Sequence, residues 1–176
     1  MQVEKPTMSG TKVTVKTVWG KKEKKSSIQI SAKTLGGALK ELLKRDEWGK
    51  FEGEIAYDYK ADAANHVTEV TLKPSYTIQM PVWTGYRSSP KACQQEWDRM
   101  WKKLEEHEDA HRQIHLQALT TIQGTLAKKT DLTVDQFESD IEGMVQEGQD
   151  NQDKFDVSTG YGSKKGVTLN VTKECE

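Results

Sequence analysis

The stretch His107-Glu108-Asp109-Ala110-His111 decides how this chain is read. Around it, Trp97, Met100, Trp101, Leu104, His111, Ile114, Ala118, Leu119 and Ile122 recur at intervals of three and four, the period of one long amphipathic helix. Ser89-Pro90 supplies a start with proline in the first turn. Gly124 and Lys128-Lys129-Thr130-Asp131 supply an end. Four helical residues turn through about 400°, so the two imidazoles stand on one face, one turn apart. Two nitrogen ligands at that spacing suit one zinc ion, with Glu108 placed to reach a water on the same ion. The expected chemistry is hydrolysis. Zinc lowers the pKa of water to about 7 and polarises a carbonyl, and Glu108 takes the proton and passes it to a leaving amine. The competing reading is a solvated helix face on which two histidines sit among Glu105, Glu106 and Asp109.

His115 continues the spacing, but on a straight helix its Cα lies about 12 Å along the axis from that of His107. Zinc–nitrogen bonds of about 2.0–2.1 Å do not bridge that span, so a role behind the ligands or on the surface is expected for His115. The third ligand then comes from elsewhere. One source is a second helix beginning at Thr133, which carries Glu138, Asp140, Glu142 and Glu147. The other is the segment Phe155-Asp156-Val157-Ser158-Thr159-Gly160-Tyr161-Gly162, read as a glycine-rich turn. There Asp156 is the favoured metal ligand. Tyr161 is the candidate hydroxyl for an oxyanion.

Upstream, residues 12–19 alternate apolar and polar as a half-buried strand, and Ser27–Ser31 reads as a second. The basic run Lys21-Lys22-Glu23-Lys24-Lys25 between them is expected to be a solvated turn. Thr34 caps a helix of about ten residues through Leu35, Ala38, Leu39, Leu42 and Leu43. Residues 51–60 form a strand. A polar turn at Asp62–Asn65 leads into a long strand from Val67 to Met80, broken near Pro74. Val167–Val171 is a candidate final strand. Strands precede helices, so the class is α+β in a single domain over 1–176: a strand-rich half over 1–85, a helical half over 88–157 and a loop and tail over 158–176.

The formal net charge is −1, from 26 basic and 27 acidic residues, so nucleic acid and anionic membrane are not expected partners; a peptide or protein substrate is. No stretch approaches the about 20 apolar residues of a membrane span, and Met1–Lys5 has no apolar signal core. The cysteines Cys93 and Cys175 match no zinc or redox spacing. A disulfide between them, the favoured reading, fits an exported protein, and two free thiols fit a cytosolic one.

The chain resembles the zincin peptidases through its H-E-x-x-H helix in an α+β setting. It resembles more closely a family of bacterial domains of unknown function grouped with them. The likeness spans roughly residues 50 to 165 and rests on three places: the strand end Met80-Pro81-Val82-Trp83, the H-E-x-x-H helix, and Phe155-Asp156-Val157-Ser158-Thr159-Gly160-Tyr161-Gly162. In the last, Tyr161 stands where that family has His. Deuterolysin-like aspzincins use an Asp ligand followed shortly by Tyr-Gly, at a different spacing, which supports Asp156 and Tyr161 in those roles. The resemblance implies a zincin-like fold: a twisted, mostly antiparallel sheet on the active-site helix, with a second helix behind. The strand Val67–Met80 is the candidate edge strand along the cleft. A zinc metallopeptidase is the leading reading. The alternatives are a non-catalytic zinc-fold interaction module and a zinc amidase acting on cell-wall peptides.

Overall fold

The structure is a computed structural model that describes residues 10–176; residues 1–9 of the strand-rich half lie outside the described residues. In chain order the elements are β1 (Thr14–Thr17), β2 (Lys22–Ile30), α1 (Leu35–Leu42), β3 (Lys50–Ala61), β4 (Val67–Trp83), α2 (Lys91–Leu126) and α3 (Val134–Thr159). The class is α+β, as the order of the patterns implies.

The helices start where the side chains provide for it. Thr34 accepts a hydrogen bond from the Gly37 N–H at 3.1 Å and opens α1. Thr133 and Gln136 form a capping box that opens α3. Helix α2 follows Pro90 and runs through Gly124. Helix α3 runs through Gly143 and Gly148 to Thr159, because packing against α2 outweighs the weak helix preference of glycine.

All strand pairing among the described residues is with β4. β1 and β2 lie end to end along one side of it, both parallel: Thr14 pairs with Glu69 and Ile30 with Trp83. β3 pairs with the other side, antiparallel, across the Asp62–Asn65 turn. Two of the three pairings are thus parallel, and the mostly antiparallel sheet expected from the sequence is corrected. Only the β3–β4 hairpin has a local signal; the parallel pairs join segments separated by α1 and β3.

Four further expectations change. β4 is the central strand, not an edge, so it cannot line the cleft with a free edge. It also passes Pro74 unbroken. The Leu72 and Pro74 carbonyls accept from Val18 and Gly20, and the Tyr76 N–H donates to Lys21, so Pro74's missing donor faces the gap where β1 gives way to β2. The run Lys22–Lys25 is strand β2 rather than a turn, with Lys22 over the Trp19 ring and Lys24 paired with Glu105. Val167–Val171 forms no strand; Val167 and Leu169 instead bury their side chains against the core while Arg99 holds the Gly166 and Thr168 carbonyls at 3.0 and 2.7 Å.

The apolar interior has two parts. Ile30, Leu35, Leu42, Met80, Trp83, Trp97, Met100 and Leu104 form one. Val67, Val70, Leu72, Leu119, Ile122, Leu126, Phe137 and Ile141 form the other. Each fully buried Leu or Ile contributes about 1.5–3 kcal/mol. The buried face of α2 crosses both parts, and between them it carries His107, Glu108, His111 and His115. Four polar side chains in the middle of a core stripe are costly unless they find partners. The Cys93–Cys175 disulfide fastens the tail to the first turn of α2.

Candidate metal centre

The i, i+4 spacing on α2 brings the rings of His107 and His111 edge to face, with centroids 4.8 Å apart and Nε2 atoms 3.3 Å apart. Asp156 reaches the same point from α3. Its Oδ1 lies 2.9 Å from His111 Nε2 and 3.2 Å from His107 Nε2. These three residues are the group among the described residues that could hold a metal ion. Asp156 sits in the last turn of α3 and not in a turn beyond it, because the helix continues to Thr159 and closes at Gly160 in the left-handed conformation. The aromatic-Asp-x-x-Thr segment is therefore helical. Phe155 stacks on His107 at 5.1 Å, and the buried Thr159 donates to the Phe155 carbonyl at 2.9 Å.

Gln152 was not legible as a site residue. It lies four residues before Asp156 on the same face of α3, mirroring the spacing of His107 and His111 on α2. Its Oε1 accepts from His111 Nδ1 at 2.6 Å, and its Nε2 donates to the His111 carbonyl at 3.0 Å. With the proton on Nδ1, His111 Nε2 is left as an acceptor facing Asp156 and His107. Phe51 of β3 stacks on His111 at 6.1 Å from the other side.

Glu108 is 4% exposed, and burial, then the carboxylates of Glu47 and Asp156, push its pKa up to about 8. Gly49 makes room for it: a Cβ there would stand 2.6 Å from Glu108 Oε1. Burial, then the neighbouring His111, hold the His107 pKa below the usual imidazole range, with Asp156 opposing. His115 is not on the surface; it is buried one turn below His111, packed on Phe51 and Gly53, and burial lowers its pKa too.

The second-helix acids stay outside the group. Glu138 accepts from the Tyr59 hydroxyl, Asp140 pairs with Lys129, and Glu142 and Glu147 are exposed. Tyr161 borders the cavity with its side chain 62% exposed. Its φ of 53° is left-handed, an uncommon state for a tyrosine, between Gly160 and Gly162. At Gly162 (φ 81°) a Cβ would lie 3.4 Å from His107 Cγ and closer still to Val167, so this turn rests directly on His107.

The residues face a cavity of about 870 Å³ bounded by β3, α2, α3 and the turn at 46–49. Among the described residues, no helix is long and apolar enough to cross a membrane. Residues 25–162 match the model of a family described as bacterial protein of unknown function (DUF922). No curated protein matches the chain, and no solved structure does.

Proposed function

The chain belongs to this bacterial family of unknown function, and from that premise we propose that it is a zinc metallopeptidase, hydrolysing peptide (amide) bonds with Glu108 as general base. The observation that carries the reading is the triangle of His107 Nε2, His111 Nε2 and Asp156 Oδ1, with edges of 3.3, 3.2 and 2.9 Å. Neighbouring ligand atoms of a tetrahedral site with bonds of about 2.0–2.1 Å are about 3.3 Å apart, so the donor set fits zinc in number, type and spacing. The polar gap in the buried stripe of α2 also supports a zincin-like helix.

When bound, zinc lowers the pKa of a water to about 7 and polarises a substrate carbonyl. His107, His111 and Asp156 would hold it, with Gln152 fixing the His111 ring. A cation beside Glu108 favours its carboxylate form against the effect of burial. Glu108 then accepts a proton from the attacking water and delivers it to the leaving amine. Tyr161, at the cavity mouth, donates its hydroxyl to the oxyanion. Phe51 and Phe155 shield the imidazoles from bulk water. The substrate lies along β3, whose side away from β4 has no strand partner among the described residues. The disulfide supports an exported location, periplasmic or secreted.

The test is metal analysis joined to hydrolysis. Purified protein should carry about one zinc per chain, and His107→Ala or His111→Ala should lose it. Glu108→Gln should keep zinc and lose hydrolysis by orders of magnitude. Full zinc occupancy in both histidine variants would sink the reading. Zinc with no hydrolysis of any peptide would favour an interaction module.

A further inference from the structure

The cavity does not end at the metal ligands. Beyond His111 it follows the seam between α2 and α3, with His115 and Ala118 on one wall and Gln149, Gly148 and Val145 on the other. Gly53 and Ile55 of β3 close the third side. Ala118 lies seven residues past His111, so this arm reaches about 10 Å from the ligand along α2. Small residues shape it. Gly148 lets α3 approach until a Cβ there would be 3.0 Å from Ala118 Cβ, and at Gly53 a Cβ would stand 2.8 Å from His115 Nδ1.

Asp153 of α3 also borders the cavity, one turn from Gln149 towards the metal end, where it is exposed and accepts from the Gln149 amide at 3.0 Å; past Gln149 neither helix contributes a charge. Glu54 also borders the cavity, but it stands between Gly53 and Ile55, and strand alternation points it to the opposite face of the sheet. His115 is held neutral by burial, and its Nε2 is buried with no hydrogen-bond partner. Ile55, Ala118 and Val145 are only partly buried, so apolar surface is left open inside a concave space. The acids Asp46 and Glu47 border the cavity from the turn before β3 instead. A charged group passing Gln149 would be desolvated with no opposite charge to meet it, whereas an apolar one would cover apolar wall.

Resting on the metal-site reading above, we infer that this arm is a subsite for an uncharged, apolar side chain of the substrate adjacent to the bond that is cleaved. The substrates are then peptides with a branched aliphatic or aromatic residue at that position.

Binding to the zinc-loaded protein tests this without requiring turnover. The probes are acetohydroxamate, which only chelates, and three peptide-like hydroxamates with isobutyl, aminobutyl or carboxymethyl side chains, measured by calorimetry. The isobutyl compound should bind about 10- to 100-fold more tightly than either charged one. In Val145→Asp, checked for unchanged zinc content, that ratio should fall towards one or reverse in favour of the aminobutyl compound. A ratio under about threefold in the wild type, or a preference for either charged side chain, overturns the subsite while leaving the metal site standing. Failure of acetohydroxamate to bind overturns the metal reading itself, and the subsite falls with it.

Discussion

Gln152 grips His111 at both ends of one residue: its carboxamide oxygen takes the ring Nδ1–H at 2.6 Å, and its amide nitrogen donates to the same residue's main-chain carbonyl at 3.0 Å. A single side chain from α3 thereby sets the tautomer and the tilt of a ring on α2. Gln152→Ala should weaken zinc affinity by about 10- to 100-fold, read by chelator competition. Gln152→Glu, which can still accept from Nδ1, should recover much of the loss. In metal-depleted protein, nitrogen NMR should report His111 as the Nδ1–H form in the wild type and a mixture in Gln152→Ala. Unchanged affinity and an unchanged tautomer would falsify the role.

Asp156 offers the third candidate ligand atom, from the other helix. Asp156→Ala should reduce zinc affinity more than Gln152→Ala does, because only two protein ligands remain. Tight zinc binding in that variant would move the ligand to another carboxylate.

Glu108 gives a pH dependence with a definite sign. Its pKa in the fold, about 8, lies above the ordinary value of 4.5. Between these values the folded, metal-depleted protein holds a proton that the unfolded chain has released. Stability therefore falls as pH rises from about 4.5 through about 8 and levels off above that. His107 and His115, with lowered pKa values, act the other way below the imidazole range. Glu108→Gln removes only the first effect. Its melting temperature relative to the wild type should climb by several degrees between pH 5 and pH 8. A difference that stays flat across that range would contradict the buried carboxyl.

Tyr161 tests the transition-state assignment separately from the metal. Tyr161→Phe should leave zinc affinity unchanged and lower kcat by about 10²–10³, the usual cost of one oxyanion donor. KM should change little. Wild-type kcat in this variant would leave Tyr161 as a rim residue only.

The Cys93–Cys175 bond closes a long loop, with a sequence separation of 82. Its reduction should cost about 2–4 kcal/mol, or about 5–15 °C in melting temperature for a chain of this size. Two titratable thiols in the untreated native protein would refute the bond.

What was legible in the sequence is what is local. The period of three and four from Trp97 to Ile122 gave α2, the caps at Thr34 and Thr133 gave the starts of α1 and α3, and H-E-x-x-H placed two imidazoles on one face. Asp156 does lie in the group that could hold a metal, but in the last turn of a helix, where a glycine-rich turn was expected. Gly160 and Gly162 read as a turn extending back to Phe155, while helix packing carries α3 on to Thr159. Gln152 escaped because an amide has no ligand signature of its own; only its spacing to Asp156 hinted at a shared face. The central position of β4 escaped because parallel partners leave no turn between them to read. Its alternation is the same whether one side or both are paired.

The arrangement of the sheet around β4 also bears on how the molecule is built. Every described strand pairs with β4 alone, so no two of the others can associate before it arrives. Thr14 must wait for Glu69, and Ile30 for Trp83, which places most of the sheet's contacts far apart along the chain. High contact order of this kind slows folding. The β3–β4 hairpin is the natural nucleus, and β1 and β2 join as a late, single event. Native-state hydrogen exchange should therefore find the β3–β4 amides opening only with global unfolding, and the β1 and β2 amides opening earlier as one cooperative unit.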